Sequence, residues 1–299
     1  MELNWFFFAL TAVFLWSIAA IILKFVRVKY VKSVIGYMVI TSPMSLVGLL
    51  LLFFGRIKIP STTNMIYIVI TALTGLTAYG LYIAAIHKEE ISRVITLYNA
   101  IPLVTLLLAT IFLREVLSVK DYLAFPLVII GSFLISVKRK EKKLVLSKGI
   151  ILVLISMVLF SVQAIILKLA SGVDYVSLMI LRWLIMFLFI VMLFLSSQNI
   201  RAKVKTTLEQ LNKKKLGLIY AAESLGMIGF VFSYLAIQRG PVSLVSLTQG
   251  AESLFVILLT VLISIFMPHI LKEEISKKTI SLKIISALLI IIGLYLIAI

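Results

Sequence analysis

Cysteine is absent from the 299 residues, histidine occurs twice, and 12 acidic residues stand against 29 lysines and arginines. The lack of cysteine excludes disulfides, iron–sulfur clusters and thiol catalysis. Both histidines, His87 and His269, fall near the ends of predicted helices, so a zinc-type site has almost no ligands available. We therefore expect neither a metal nor a cofactor.

Charge of any kind is scarce, and apolar residues dominate. Only 14% of the residues are charged and 62% are hydrophobic, which cannot be arranged into a water-soluble surface. The composition predicts a multi-pass protein of the cell membrane. The net charge of +17 comes from short loops between apolar segments, where basic residues orient a protein and attract anionic headgroups. Membrane lipids are thus expected partners, and nucleic acid is not.

Apolar segments of the length needed to cross a bilayer, about 20 residues as a helix, recur along the chain. We predict ten of them, over residues 5–23, 34–54, 65–86, 94–113, 122–137, 149–169, 176–195, 216–237, 244–267 and 284–297. Between the seventh and eighth, residues 196–215 predict either a short amphipathic surface helix through Leu208 and Leu211 or a solvated basic loop.

An internal repeat divides the chain. Residues 15–24, LWSIAAIILK, return as 159–168, LFSVQAIILK, with seven of ten identical. A second alignment, at an offset of 151, pairs Ala85-Ile86 with Ala236-Ile237. Five helices per copy make the second copy enter the membrane from the opposite side. The predicted fold is thus an all-α membrane protein of ten transmembrane helices in two inverted five-helix repeats, over 1–137 and 149–299, joined by a basic linker at 138–148.

The distribution of lysine and arginine predicts the orientation. Twenty-two of them fall in one set of predicted loops, and six fall in the opposite set, which contains both termini. Because basic loops stay cytoplasmic, we expect both termini outside.

Motifs in both halves resemble those of the drug/metabolite transporter superfamily, specifically its ten-helix EamA-type members. The motifs are Leu15-Trp16-Ser17 with Lys24, Ala85-Ile86, Ile91-Ser92, Pro102-Leu103, Arg114 to Ser118 and Gly131, then Ala236-Ile237, Val242-Ser243, Glu252 to Phe255, Glu274 to Ser276 and Gly293. The resemblance covers essentially the whole chain. It implies a secondary transporter that exports small organic metabolites such as amino acids by alternating access.

The sequence departs from the family pattern in three places. The family often has proline, and the helix distortion that it causes, after the ninth-helix glutamate, whereas Ser253 follows Glu252 here. An arginine frequent in the second and seventh helices appears as Arg182 but is Tyr37 in the first half. The resemblance suggests cytoplasmic termini for some relatives, whereas the charge distribution of this chain predicts both termini outside.

Two glutamates lie inside predicted membrane helices, where a carboxylate is costly and usually functional. Glu252 shares a polar stripe with Ser246, Gln249, Gly250 and Ser253, and it is our candidate for proton coupling. The alternative is a neutral glutamate bonded to a neighbouring helix. Glu223 is the second candidate, with headgroup contact as its alternative.

Further polar and aromatic residues recur at helical spacing on the remaining spans. The complete set predicted to bind substrate is Trp16, Tyr82, Asn99, Gln163, Glu223, Tyr234, Gln249 and Glu252. The resemblance implies a central pocket among the first, third, fourth, sixth, eighth and ninth helices. Trp16 and its counterpart Phe160 have plain helix packing as an alternative. We expect Arg182 to form a salt bridge or to contact a lipid headgroup, with binding of a substrate anion as the alternative.

Two other functions fit a polytopic chain. A lipid-headgroup flippase on the same fold would suit Arg182 and the basic loops. A membrane enzyme acting on lipid-linked substrates would need catalytic residues gathered at one membrane face, and the scarcity of histidine, aspartate and cysteine disfavours it. Since no glycine-rich phosphate-binding motif is present either, we predict a transporter that is neither an enzyme nor driven directly by ATP.

Overall fold

A computed structural model describes residues 4–30, 33–89, 94, 97–136, 147–266 and 277–299. Within these ranges the chain is mostly helical and has no strand. The predicted linker at 138–148 lies almost wholly outside the described residues, as does His269.

Twelve α-helices are described. They are α1 (Asn4–Tyr30), α2 (Val34–Thr41), α3 (Thr62–Ile86), α4 (Ile101–Leu108), α5 (Val119–Ser136), α6 (Lys148–Leu169), α7 (Tyr175–Ser196), α8 (Gln198–Glu209), α9 (Lys213–Arg239), α10 (Val242–Leu247), α11 (Ala251–Phe266) and α12 (Lys277–Ala298). Tighter or wider turns extend three of them: a 3₁₀ helix continues α2 (Ser42–Phe53), a π turn ends α4 (Ala109–Leu113), and a 3₁₀ turn joins α10 to α11 (Thr248–Gly250).

Eight of the predicted spans correspond to helices, or helices with their extensions, that are long and apolar enough to cross a membrane. The fourth predicted span contains only the shorter apolar segment Ile101–Leu113. Pro102 lies in the first turn of this helix rather than in its interior, because a turn at Asn99 and Ala100 precedes it. The first turn tolerates a residue without an N–H. The fifth predicted span is α5, which is 18 residues long and is not one of the eight.

Helices of the two halves pack against each other in a reciprocal pattern. The first predicted span contacts the eighth and the third contacts the sixth, as α1 with α9 and α3 with α6. The second, fourth and fifth contact the seventh, ninth and tenth in the same order. This pairing is expected if an axis relates the two halves and exchanges each span with its counterpart. Exchange of the first span with the sixth and of the third with the eighth converts one contact into the other.

Close helix approach explains two of the family-like glycines. A Cβ on Gly131 of α5 would lie 2.8 Å from the backbone oxygen of Ser286 in α12. A Cβ on Gly293 of α12 would lie 3.1 Å from the backbone oxygen of Ala124 in α5. Small residues let helices without a hydrophobic driving force between them pack backbone to backbone.

The segment between the seventh and eighth spans contains a helix, α8, rather than a loop throughout, but this helix ends at Glu209, before Leu211. Its buried residues are Val204 and Thr207, however, whereas Leu208 is exposed. The buried face packs on α2, where a Cβ on Gly36 would lie 3.0 Å from the Lys203 carbonyl oxygen.

Candidate functional site

A carboxylate with two tyrosine donors lies within the helix bundle. Glu223 is the eleventh residue of α9, about 15 Å along the helix. Its Oε1 accepts a hydrogen bond from the Tyr79 hydroxyl at 3.0 Å and a second from the Tyr37 hydroxyl. Tyr37 is 1% exposed, so the acid reaches inward between α2 and α3 rather than toward the headgroups. Hydrogen bonds of this type compensate a buried charge.

Open space adjoins this acid on the same face of α9. Gly226 and Phe230 follow Glu223 by three and seven residues and therefore share its face. No described atom lies within 4 Å of the position that a Cβ on Gly226 would occupy. The Trp16 indole N–H donates to the Gly226 carbonyl oxygen at 3.1 Å, so this stretch of α9 faces α1 and the bundle interior. Glu223, Gly226 and Phe230 thus form one face, here called the open face of α9, with an acid at one end and an aromatic ring at the other.

The aromatic end of that wall holds a buried arginine. The Arg182 guanidinium carbon lies 4.0 Å from the centre of the Phe230 ring, within cation–π range. Arg182 is 4% exposed and has no ion pair with any described carboxylate, so the predicted salt bridge or headgroup contact is wrong for these residues. Gln163, which is 6% exposed, meets the guanidinium beside Gly75, halfway along α3.

Three aromatic rings lie beyond the tyrosine pair. Tyr82 and Tyr98 have ring centres 4.7 Å apart, and Tyr98 packs edge-on against Phe160 at 6.2 Å. The Tyr98 hydroxyl bonds to Ser156, whose own hydroxyl donates to the Ala78 carbonyl oxygen at 2.8 Å. Tyr82 also packs partly buried against the cluster that contains Tyr37, which connects this aromatic group to the acid. Asn99 is half-buried in the adjacent turn.

The predicted polar stripe of the ninth span does not face one cavity. A 3₁₀ turn lies just before Glu252, although the residue after Glu252 is not proline. A 3₁₀ turn winds more tightly than an α-helix, so the residues before and after it do not share one face. The Ser246 hydroxyl donates to Thr105 of α4 at 3.2 Å. Gly250 packs against α5 instead, and its carbonyl oxygen accepts from the Ser132 hydroxyl at 3.2 Å.

Glu252 itself lies beside α1. The Ser17 hydroxyl approaches its backbone oxygen at 3.4 Å. The Glu252 side chain is half-buried, and it has no hydrogen bond to any described residue. Gln249, in the 3₁₀ turn, is also half-buried.

Tyr234 is separated from the other predicted residues. Its hydroxyl donates to the carbonyl oxygens of Ala170 and Val173 at 3.4 and 3.3 Å, and it accepts from the Gln238 amide. These hydrogen bonds connect α9 to the turn between α6 and α7, so Tyr234 has a structural contact here.

The structure therefore brings some of the predicted residues together and separates others. Glu223 lies on the open face of α9 and Trp16 contacts it at Gly226. Gln163 lies beside Arg182, which stacks on Phe230. Tyr82 packs on the cluster of Tyr37, whereas Asn99 is in the turn that follows Tyr98. Sequence reasoning gave no site role to Tyr37 or Tyr79. The replacement of a family arginine by Tyr37 was the available signal for the first of them. Among the described residues, no group of three or more histidines or carboxylates is arranged to hold a metal.

Comparison with known proteins agrees with this architecture. The model of the EamA-like transporter family matches the chain twice, over residues 3–137 and 147–299. No curated protein matches the chain. A solved structure described only as a crystal structure of a protein is 15% identical, with a TM-score of 0.71, over 97% of this chain and 95% of its own. That likeness shows a shared fold.

Proposed function

Because the chain belongs to the EamA-like transporter family, we propose that it exports a small organic metabolite, such as an amino acid, by alternating access. The observation that carries this proposal is the open, polar-ended face of α9 in the middle of the bundle. An apolar membrane helix has no reason to keep an acid, a glycine and a stacked cation–aromatic pair on one inward face unless the face lines a path for solute.

We propose further that ten helices form two inverted five-helix halves, with α4 and α5 as the fourth and fifth spans. The reciprocal packing of the halves supports this arrangement, since an in-plane axis exchanges the first and eighth spans with the sixth and third. Rocking of one half against the other would then open the α9 face to each side in turn. The cell membrane is the proposed location.

The proposed substrate contacts fall into an inner and an outer group. The inner group borders the open face and its aromatic extension, and consists of Trp16, Tyr82, Asn99, Gln163 and Glu223. The outer group consists of Tyr234, Gln249 and Glu252. These residues lie on helices that must move if the open face of α9 is to be exposed to one side of the membrane. In the present conformation the outer residues do not reach the open face.

Glu252 is the proposed proton-coupling residue. Its half-buried carboxyl group has no partner among the described residues, so a proton can be gained or lost without breaking an existing bond. Replacing Glu252 by Gln keeps the shape and removes the titration. We expect the variant to lose flux driven by a pH gradient while it retains solute exchange. Glu209→Gln, on the exposed side of α8, is the matched control.

The test is transport in proteoliposomes. The purified full chain is reconstituted with radiolabelled leucine, phenylalanine and threonine on one side, and flux is followed with and without a pH gradient. Saturable flux of a water-soluble solute supports the proposal. Flux that appears only with a long-chain lipid substrate would establish the flippase alternative, and chemical conversion of such a lipid would establish an enzyme.

A further inference from the structure

Two buried side-chain atoms in the described part of the chain lack any hydrogen-bond partner: Gln163 Oε1 and Arg182 Nε. Folded proteins leave few buried polar atoms unpaired, and each one calls for an explanation. The two atoms belong to different helices, α6 and α7, yet their side chains meet at one place beside Gly75. Unused hydrogen-bonding capacity is thus concentrated at a single point in the middle of the bundle.

The charge at this point is also uncompensated. Arg182 is buried, and its one aromatic partner, Phe230, offers a ring face but no negative charge. A cation buried without a counter-ion is strongly disfavoured in an apolar surrounding. Glu223, the acid on the same face of α9 as Phe230, already accepts from Tyr37 and Tyr79. The arginine therefore lacks the anion that its environment requires.

Gly75 lets both groups pack directly against the backbone of α3. A Cβ at this position would lie 2.6 Å from Arg182 Nη2 and closer still to Gln163 Oε1. The guanidinium and the amide oxygen thus reach the surface of α3 only because residue 75 has no side chain. The missing side chain therefore admits two polar groups where a larger residue would make an apolar helix contact.

The guanidinium reaches the open face of α9 through Phe230. Phe230, on which the guanidinium stacks, is one turn from Gly226, and Gly226 faces empty space. Glu223 lies two turns, about 10 Å, from Phe230 along the same face. A solute on this face would therefore meet a positive group at one end and a negative group at the other.

From these contacts we propose that Arg182 and Gln163 form a carboxylate subsite. The planar guanidinium fork binds the carboxylate of the solute, and Gln163 Oε1 accepts an N–H from the same molecule. The subsite rests on the proposed transport function and makes it specific: solutes that carry a carboxylate next to an N–H donor bind, and their decarboxylated amines do not.

Matched solutes test this subsite directly. Phenylalanine and leucine are compared with phenethylamine and isopentylamine, which lack only the carboxylate, as competitors for flux and as ligands in thermal unfolding of the full chain in detergent. We expect the amino acids to compete and to raise the unfolding temperature, and the amines to do neither. Amines that compete as well as the amino acids would overturn the subsite.

Substitutions separate binding from folding. Gln163→Glu places a resident carboxylate beside Arg182, so we expect it to stabilise the ligand-free protein and to raise the KM for amino acids at least about tenfold, equivalent to about 1.4 kcal/mol. Arg182→Gln should raise the KM similarly, Arg182→Lys should raise it less, and Arg201→Gln on the surface helix is the control.

The outcomes also distinguish the two proposals. Amino-acid flux whose KM is unchanged in both Gln163→Glu and Arg182→Gln removes the subsite and leaves the transporter standing. A stabilised Gln163→Glu variant that transports normally shows that Arg182 has a structural role only, and also removes the subsite. If no amino acid crosses the membrane or shifts the unfolding temperature of the wild type, the subsite is overturned, and the absence of saturable flux for any water-soluble solute overturns the transporter as well.

Discussion

Lys168 and Glu115 bind the two sides of one interhelical turn, the segment between α9 and α10. The Lys168 ammonium donates to the carbonyl oxygens of Ile237, Gln238 and Gly240 at 2.8, 3.3 and 2.9 Å, where α9 ends. Glu115 accepts from the backbone N–H groups of Val242 and Ser243 at 2.9 and 3.2 Å, where α10 begins. A cation at a helix C-terminus and an anion at an N-terminus both complement the helix dipole.

The lysine is therefore expected to stabilise this turn rather than to anchor the protein in headgroups. Lys168→Met removes three donors and leaves the carbonyl oxygens of the α9 terminus unpaired. We expect a loss of about 1–3 kcal/mol in unfolding free energy, measured by thermal or denaturant unfolding in detergent. Lys148→Met, at the exposed opposite end of α6, serves as the control. Equal stability of the two variants would show that the contacts contribute nothing.

The two tyrosines are expected to act on transport through Glu223. Tyr37→Phe and Tyr79→Phe each remove one donor to the carboxylate, and a hydrogen bond to a charged group contributes about 1.5–3 kcal/mol. Each variant should therefore lower kcat/KM by about tenfold or more. In a Glu223→Gln background the same changes should have a smaller effect, because the charged acceptor is gone. Tyr295→Phe, at an exposed site of α12, is the control, and additive effects would contradict the coupling.

Helix contact between α5 and α12 predicts a stability effect without a specificity effect. Gly131→Ala inserts a methyl group 2.7 Å from Ile290 Cγ1 and 2.8 Å from the Ser286 carbonyl oxygen. Overpacking of this kind costs about 1–3 kcal/mol. Gly217→Ala, which meets nothing within 4 Å, should be neutral or slightly stabilising, since alanine favours the helix. The comparison is made by thermal unfolding, and equal midpoints would contradict the close contact.

The described structure and the sequence agree best where a feature is local or repeated. Helicity, the apolar spans and the two related halves follow from composition and internal alignment alone, and the family match confirms the resemblance. Inward placement of Gln163 follows from the cost of exposing its amide to lipid, whereas for Glu223 the sequence left headgroup contact as an alternative.

Features that depend on packing between distant helices could not be predicted. The 3₁₀ turn before Glu252 breaks a stripe that a uniform 3.6-residue period had aligned. Arg182 was expected at a membrane surface because it lies near one end of its own helix, but the length of its side chain and the gap at Gly75 carry it to the middle of α3. The local sequence of α7 does not encode this placement of Arg182.

Gly226→Leu tests most directly whether solute passes along the open face of α9. This substitution fills the space beside the Trp16 indole, which no described atom occupies, while Gly217→Leu adds the same bulk elsewhere on the helix. Both proteins are reconstituted, and exchange of radiolabelled phenylalanine and leucine is measured beside thermal unfolding. We predict that Gly226→Leu loses exchange by at least about tenfold at unchanged stability, equivalent to about 1.4 kcal/mol in the barrier, while Gly217→Leu exchanges normally. Normal exchange by a folded Gly226→Leu protein would show that solute does not pass along this face.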